Sequence, residues 1–280
     1  MRFPRMTRRR FLSSTFAAGA GSAIWMRFLE PWWVRETHLS VPLGLSGLKL
    51  LHLSDLHAEP MPLDFLDEQI ERALAWKPDL ICVTGDFITT KYERWDDYAA
   101  MLAKLSAAAP TFASLGNHDG GRWARFHGYA DTSLVRGLLA RAKIPLLHNA
   151  QERLEIRGRP LRLVGLGDDW ADEVDPVRAF GHGSSTVRDG PEPMILLSHN
   201  PDTKEELAPY AWDLMLCGHT HGGQLSLPVV GEPFLPVRDK RFVRGLYRWE
   251  SRWIHITAGL GSLHKARFNC RPEISYLTLT

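Results

Sequence analysis

Five short apolar stretches of the chain each end in polar residues able to bind metal. They are followed by Ser54-Asp55-Leu56-His57, Gly85-Asp86, Gly116-Asn117-His118-Asp119, His199-Asn200-Pro201 and Gly218-His219-Thr220-His221. Taken singly these signals differ in weight. Gly-Asp after a strand is ordinarily a turn, Asp-x-His serves equally as a helix cap, and a lone histidine is more often a satisfied polar residue than a ligand. Gly-Asn-His-Asp and Gly-His-Thr-His carry more, because a turn rarely needs two stacked imidazole or amide groups beside glycine. Five such clusters at five strand ends are not an accident of composition, and the chemistry they suggest is the binding of metal ions.

The elements that must position these residues are legible from periodicity. Leu48 to Leu53 reads as a strand, and Asp64 to Trp76 spaces Phe65, Leu66, Ile70, Ala73 and Leu74 as a helix that ends before Lys77-Pro78. Asp79 to Thr84 is the next strand, Asp96 to Leu105 a helix, Thr111 to Leu115 a third strand and Asp131 to Ala142 another helix. This order implies a buried parallel sheet with helical crossovers. Arg153–Ile156 and Leu161–Val164 flank Arg157-Gly158-Arg159-Pro160 as a hairpin; Met194–Ser198 and Leu214–Cys217 are further strands. The strand-like end of the chain, Phe242–Trp249, Trp253–Thr257 and Ile274–Leu279, is expected to form a second sheet. Ligands of open α/β sheets gather outside the carboxyl ends of the strands, so all five clusters should meet in one crevice. The Gly-, Asp- and Pro-rich residues 168–192 are expected to form a mobile rim loop, with Asp168, Asp169 and Asp172 simply solvated. His52, mid-strand, is expected to be structural, while His148 or His182 could reach the pocket on a loop.

In this order, Asp-x-His, Gly-Asp, Gly-Asn-His-Asp, His and Gly-His-x-His resemble the motifs of the calcineurin-like metallophosphoesterases, over roughly residues 46–280. The resemblance implies an α/β (α+β) fold, a four-layer αββα sandwich of two facing mixed β-sheets of the metallo-dependent phosphatase type. It implies that Asp55, His57 and His221 hold one metal, that Asn117, His199 and His219 hold a second, and that Asp86 bridges them. Imidazoles with hard oxygens suit two divalent ions such as Mn²⁺, Zn²⁺ or Fe rather than Ca²⁺. The implied reaction is hydrolysis of a phosphodiester by attack of a water or hydroxide held between the metals, its pKa lowered toward about 7. His118 then protonates or stabilises the departing alkoxide, with Asp119 fixing its tautomer. Two further substrate classes fit the same centre: a phosphate monoester, and a lipid-linked phosphate or pyrophosphate such as a UDP-diacylglucosamine-type precursor. A metal-silenced binding scaffold would have lost ligands, and here every one is present.

Composition bounds the remainder. The chain has 280 residues, 44% hydrophobic and 24% charged, which fits a globular protein. Of its formal net charge of +2, residues 1–35 carry seven Arg against one acid, Glu30, leaving residues 36–280 at −4. Such a body lacks a broad cationic face, and stable nucleic-acid binding is not expected. Thr7-Arg8-Arg9-Arg10-Phe11-Leu12 followed by an uncharged stretch to Met26 resembles a twin-arginine export signal. Residues 1–35 are therefore expected to engage the twin-arginine machinery, deliver the protein across the inner membrane, and either be cleaved or remain as a membrane tether. Residues 36–280 form one domain. Three cysteines are too few for a disulfide framework, and a monomer is the default.

Overall fold

The computed structural model describes residues 7–181 and 190–280; His182 therefore lies outside the described residues. The strands are β1 (Arg35–Val41), β2 (Leu48–Leu53), β3 (Leu80–Thr84), β4 (Thr111–Ser114), β5 (Ala150–Ile156), β6 (Arg159–Gly165), β7 (Met194–Leu197), β8 (Leu214–Cys217), β9 (Gly245–Trp249), β10 (Arg252–Ile256) and β11 (Glu273–Leu279). The helices are α1 (Arg8–Ile24), α2 (Leu63–Leu74), α3 (Trp95–Ala108), α4 (Gly121–Ala124), α5 (Ser133–Arg141) and α6 (Pro176–Phe180).

Two mixed sheets face each other, one ordered β1-β11-β2-β3-β4 and the other β5-β6-β7-β8-β10-β9. The runs β2-β3-β4 and β6-β7-β8-β10 are parallel, as the crossover pattern requires. Leu50, Leu80 and Leu277 from the first sheet pack against Leu163, Ile195 and Leu216 from the second, which fills the space between them. On the outer face of the first sheet, α2 turns Leu66, Ile70 and Ala73 inward to join Ile81, Val83 and residues of α3 and α5. The outer face of the second sheet is covered more thinly, by α6 and the turns carrying Leu207, Trp212 and Phe242. The four-layer sandwich is thus present, with one helical layer reduced to a single short helix and turns.

Two expectations are corrected. β11 does not join the second sheet: it runs between β1 and β2, parallel to the former and antiparallel to the latter. Nearly every residue of β11 is buried, as a central strand demands, and an apolar run does not declare which sheet it enters. β1 was not read as a strand because only alternate residues are covered, and its polar members mask the period.

His52 points into the interior, where its Nδ1 meets Nδ1 of His255 at 2.8 Å and its Nε2 meets the Thr84 hydroxyl at 2.8 Å. Burial holds the His255 imidazole down at about 4 against the pull of Glu273, and burial followed by His255 lowers that of His52. Folding therefore favours the neutral rings, while an unfolded chain takes up protons near the ordinary value of about 6.5. Stability from this pair is complete above pH 6.5 and is lost as pH falls toward 4, with His255 alone worth about 3 kcal/mol. The urea midpoint should accordingly drop across that window and drop less in His255→Gln; identical pH slopes for the two proteins would contradict the assignment.

Candidate metal centre

The five clusters lie on the turns that leave β2, β3, β4, β7 and β8, and these turns converge at one end of the sandwich. Asp55, His57, Asp86, His219 and His221 all have positive φ, between 48° and 67°. Non-glycine residues adopt this conformation at a cost of about 1–3 kcal/mol each where a site requires it. Glycine permits the close approach around them. A Cβ on Gly218 would overlap Ser54 Oγ and Asp55 Oδ2, and one on Gly116 would overlap Asp86 Oδ1.

Ligand atoms of Asp55, His57, Asp86 and His221 all lie within 4.8 Å of one another, and all four residues are buried. His57 Nε2 and His221 Nε2 face each other at 3.0 Å, and His221 Nε2 stands 3.3 Å from Asp55 Oδ1. The other three residues adjoin this group. Asp86 Oδ2 lies 3.6 Å from His57 Nε2 on one side and 3.1 Å from His199 Nε2 on the other, and His219 Nδ1 lies 2.9 Å from Asn117 Oδ1. All seven residues named from the sequence are thus brought together, with Asp86 between the two groups.

Most of the imidazoles are held from outside. His57 Nδ1 meets the Thr89 hydroxyl at 3.0 Å, His199 Nδ1 donates to Thr84 O at 2.6 Å, and His219 Nε2 donates to Pro236 O at 3.0 Å. The remaining nitrogens of His57 and His219 turn inward with their lone pairs, whereas His199 Nε2 faces Asp86 Oδ2 at 3.1 Å; burial opposes charge on this ring, but Asp86 overrides it and holds the imidazole well above the ordinary range. Burial lowers the imidazoles of His57, His219 and His221, that of His219 to about 3, which keeps them neutral. Burial raises Asp55 to about 6 against the pull of His199. Burial also opposes charge on Asp86, but His199 overrides it and holds this carboxyl well below the ordinary range. Neutral inward lone pairs around two carboxylates form a donor set that fits divalent cations and would be costly to bury without them.

His118 sits beside this group, 5.0 Å from the His57 ring, with Nδ1 donating to Thr89 O at 2.7 Å. The expected role of Asp119 is corrected here. Its carboxylate touches no part of the His118 ring and instead accepts the backbone N–H groups of Gly116, Asp86, Phe87 and Ile88. Asp119 clamps the β3 and β4 turns together, and the Thr89 carbonyl fixes the His118 tautomer. Asp119→Asn places an amide among N–H donors and should cost about 1–3 kcal/mol of stability, read in a denaturant melt. A pH–rate profile shifted at unchanged stability would restore the original role.

The loop after β6 is also not a simple solvated rim. Asp168 is buried, accepts the Ala171 N–H at 3.0 Å, and is raised to about 7 by burial while His199 pulls the other way. Trp170 packs edge-on against His219 at 4.4 Å between ring centroids, and Trp123 against His118 at 4.5 Å. These rings wall a cavity of about 640 Å³ that opens over Asp86, Asn117 and His118 and continues to Leu225 and Phe234. His148 does not line it. Asp168 follows a strand end like the other clusters, and that placement was the signal available for it.

Behind His221, Arg267 is fully buried. Its guanidinium donates to the carbonyls of His221 (3.2 Å), Cys270 (3.1 Å), Ala258 (2.8 Å), Gly259 (3.2 Å) and Gly261 (2.5 Å). No motif or spacing in the sequence announced it.

Residues 48–223 match the family described as calcineurin-like phosphoesterase. Phosphodiesterase YaeI of Escherichia coli (strain K12) is 39% identical over 281 residues, covering 98% of this chain and 99% of that protein. UDP-2,3-diacylglucosamine pyrophosphatase LpxG of Chlamydia trachomatis is 30% identical over 94% of each chain. The uncharacterized metallophosphoesterase YkuE of Bacillus subtilis is 30% identical over 98% of each.

Proposed function

The chain belongs to the calcineurin-like phosphoesterase family, and from that premise we propose that it cleaves a phosphodiester with the aid of two divalent cations. Asp55, His57 and His221 hold one cation, Asn117, His199 and His219 the other, and Asp86 serves both. The observation that carries this reading is the position of Asp86 Oδ2, 3.6 Å from His57 Nε2 and 3.1 Å from His199 Nε2. Bound there, the cations would supply Lewis-acid charge to the non-bridging phosphate oxygens and an activated water.

The chain's own residues do the rest. With His118 Nδ1–H held by Thr89 O, Nε2 is the nitrogen left to act on the departing alkoxide, and the proton it delivers is the second one of the imidazolium, which leaves the ring neutral. His118→Ala should lower turnover by about 10²–10⁴-fold with metal content unchanged, as measured by steady-state kinetics beside elemental analysis. Loss of metal in that variant would place His118 among the ligands instead.

Turnover of an aryl phosphodiester against the matching monoester, with Mn²⁺ added, tests the substrate class. Diester preference is expected; a metal-loaded protein inert on both would remove the reading. The apolar walls of the cavity, Trp123, Trp170, Leu225 and Phe234, favour one variant of it, a lipid-linked phosphate or pyrophosphate. The similarity to LpxG supports the same variant. We read the leader as a twin-arginine signal that delivers the enzyme to the extracytoplasmic side. Arg8→Lys with Arg9→Lys should then retain the protein in the cytoplasmic fraction. Among the described residues no helix is long and apolar enough to cross a membrane.

A further inference from the structure

The end of the leader is built into the domain. Glu30, its single acid, is buried and accepts hydrogen bonds from Trp25 Nε1 at 2.7 Å, Asn269 N at 3.0 Å and Cys270 N at 2.5 Å. Met26 O accepts from Arg267 N at 3.0 Å. Glu30 is turned inward, and no other acid precedes it in the sequence.

Beside this junction is a crevice of about 240 Å³ lined by Trp25, Trp33, Arg35, Arg244 and Arg271, with Glu30 at its base. Arg35 is paired with Glu273 at 2.8 Å. Arg271 stacks 3.8 Å over Trp33 and donates to the carbonyls of Trp33 and Val34, and Arg244 donates to Asn269 O at 3.3 Å. Neither Arg244 nor Arg271 forms an ion pair among the described residues.

Two exposed apolar patches flank the crevice. One is Phe28 and Leu29 of the leader, 62% and 51% exposed; the other is the tip of the 226–234 loop, with Val229 fully exposed and Phe234 70% exposed. They are neighbours through one stretch of chain. Phe268 O accepts from Ser226 N at 2.8 Å, and Asn269 donates from its side chain to Ser226 O while its N–H goes to Glu30. Protruding aromatic and aliphatic side chains beside unpaired arginines and tryptophans are complementary to a bilayer with negative headgroups.

We propose that the leader junction, the Arg244/Arg271 crevice and the 226–234 loop form one surface that seats on an anionic phospholipid bilayer, with a headgroup phosphate in the crevice and Val229 in the acyl boundary. Phe234 and Leu225 also line the cavity over the metal centre, so this seating opens that cavity toward the lipid. The surface is independent of the reaction proposed above, and the two can fail separately.

The test uses the full chain with Val229→Cys carrying an environment-sensitive fluorophore, the three native cysteines being buried. Glu155→Cys on the β5–β6 hairpin is the control. On phosphatidylglycerol-containing vesicles doped with spin-labelled lipid, the label at 229 should be quenched several-fold more than that at 155. Arg244→Gln should reduce the quenched fraction about fivefold, the worth of one basic side chain at a negatively charged surface. Vesicle-bound protein quenched equally at 229 and 155 would mean that the leader alone holds it, and would overturn the proposal. So would equal quenching on pure phosphatidylcholine, or no vesicle binding.

Discussion

Asp86→Asn should lower turnover by about 10³-fold and strip bound metal while leaving the fold intact. One carboxylate oxygen of Asp86 accepts the His118 N–H at 2.9 Å, and the other faces His57 on one side and His199 on the other. An asparagine keeps the shape but removes the negative charge that, on the proposed reading, would serve both cations. A unit charge lost at about 4 Å from another is worth about 4 kcal/mol at an effective dielectric constant of about 20, and about 1.4 kcal/mol corresponds to a factor of ten. Stability should hold, because Asp86 sits at φ 54° and asparagine tolerates that conformation at least as well as aspartate. The combination to look for is therefore metal and activity both gone with a melting temperature equal to that of the metal-free parent. Activity within about tenfold of the parent would show that Asp86 does not serve the cations in this way.

Arg267→Met should act on stability first. The guanidinium holds five backbone carbonyls, those of residues 221, 258, 259, 261 and 270, in a place water does not reach. Methionine fills comparable volume and satisfies none of them, so the loss is about 3–5 kcal/mol. For a domain of this size that is a fall in Tm of about 10 °C or more. Because the His221 carbonyl is among the released groups, metal affinity should fall as well. Arg267→Lys restores the charge but only part of the donor set and belongs between the two. A Tm for the methionine variant within about 3 °C of the parent would mean that the carbonyls find other partners.

The metal centre was legible because its chemistry is written locally: a strand end, a glycine and one or two donors, five times over. The ladder β2-β3-β4 and the separate strands β6, β7 and β8 followed from the same apolar runs, but not the sheet that the latter three share. What was missed depends on contacts distant in sequence. Arg267 reads as an ordinary surface arginine until segments 221–222 and 258–261 wrap around it. Asp119 stands next to His118 in the chain, yet its side chain turns to the backbone of the neighbouring strand end. Glu30, taken as the lone acid of a signal segment, closes a contact with residues 269 and 270 far along the chain. The destination of β11 belongs with these, since hydrophobicity specifies burial and not the partner.

That destination affects synthesis. The last strand of the chain occupies an interior place in the first sheet, with an N-terminal strand on one side and β2 on the other. Until residues 273–279 have emerged from the ribosome, β1 and β2 have no neighbour between them and the sheet stays open along its middle. The metal turns carried on β2, β3 and β4 can therefore reach their final positions only once residues 273–279 are available to close the sheet. A route that threads the chain as it is made would move it before the sheet could close.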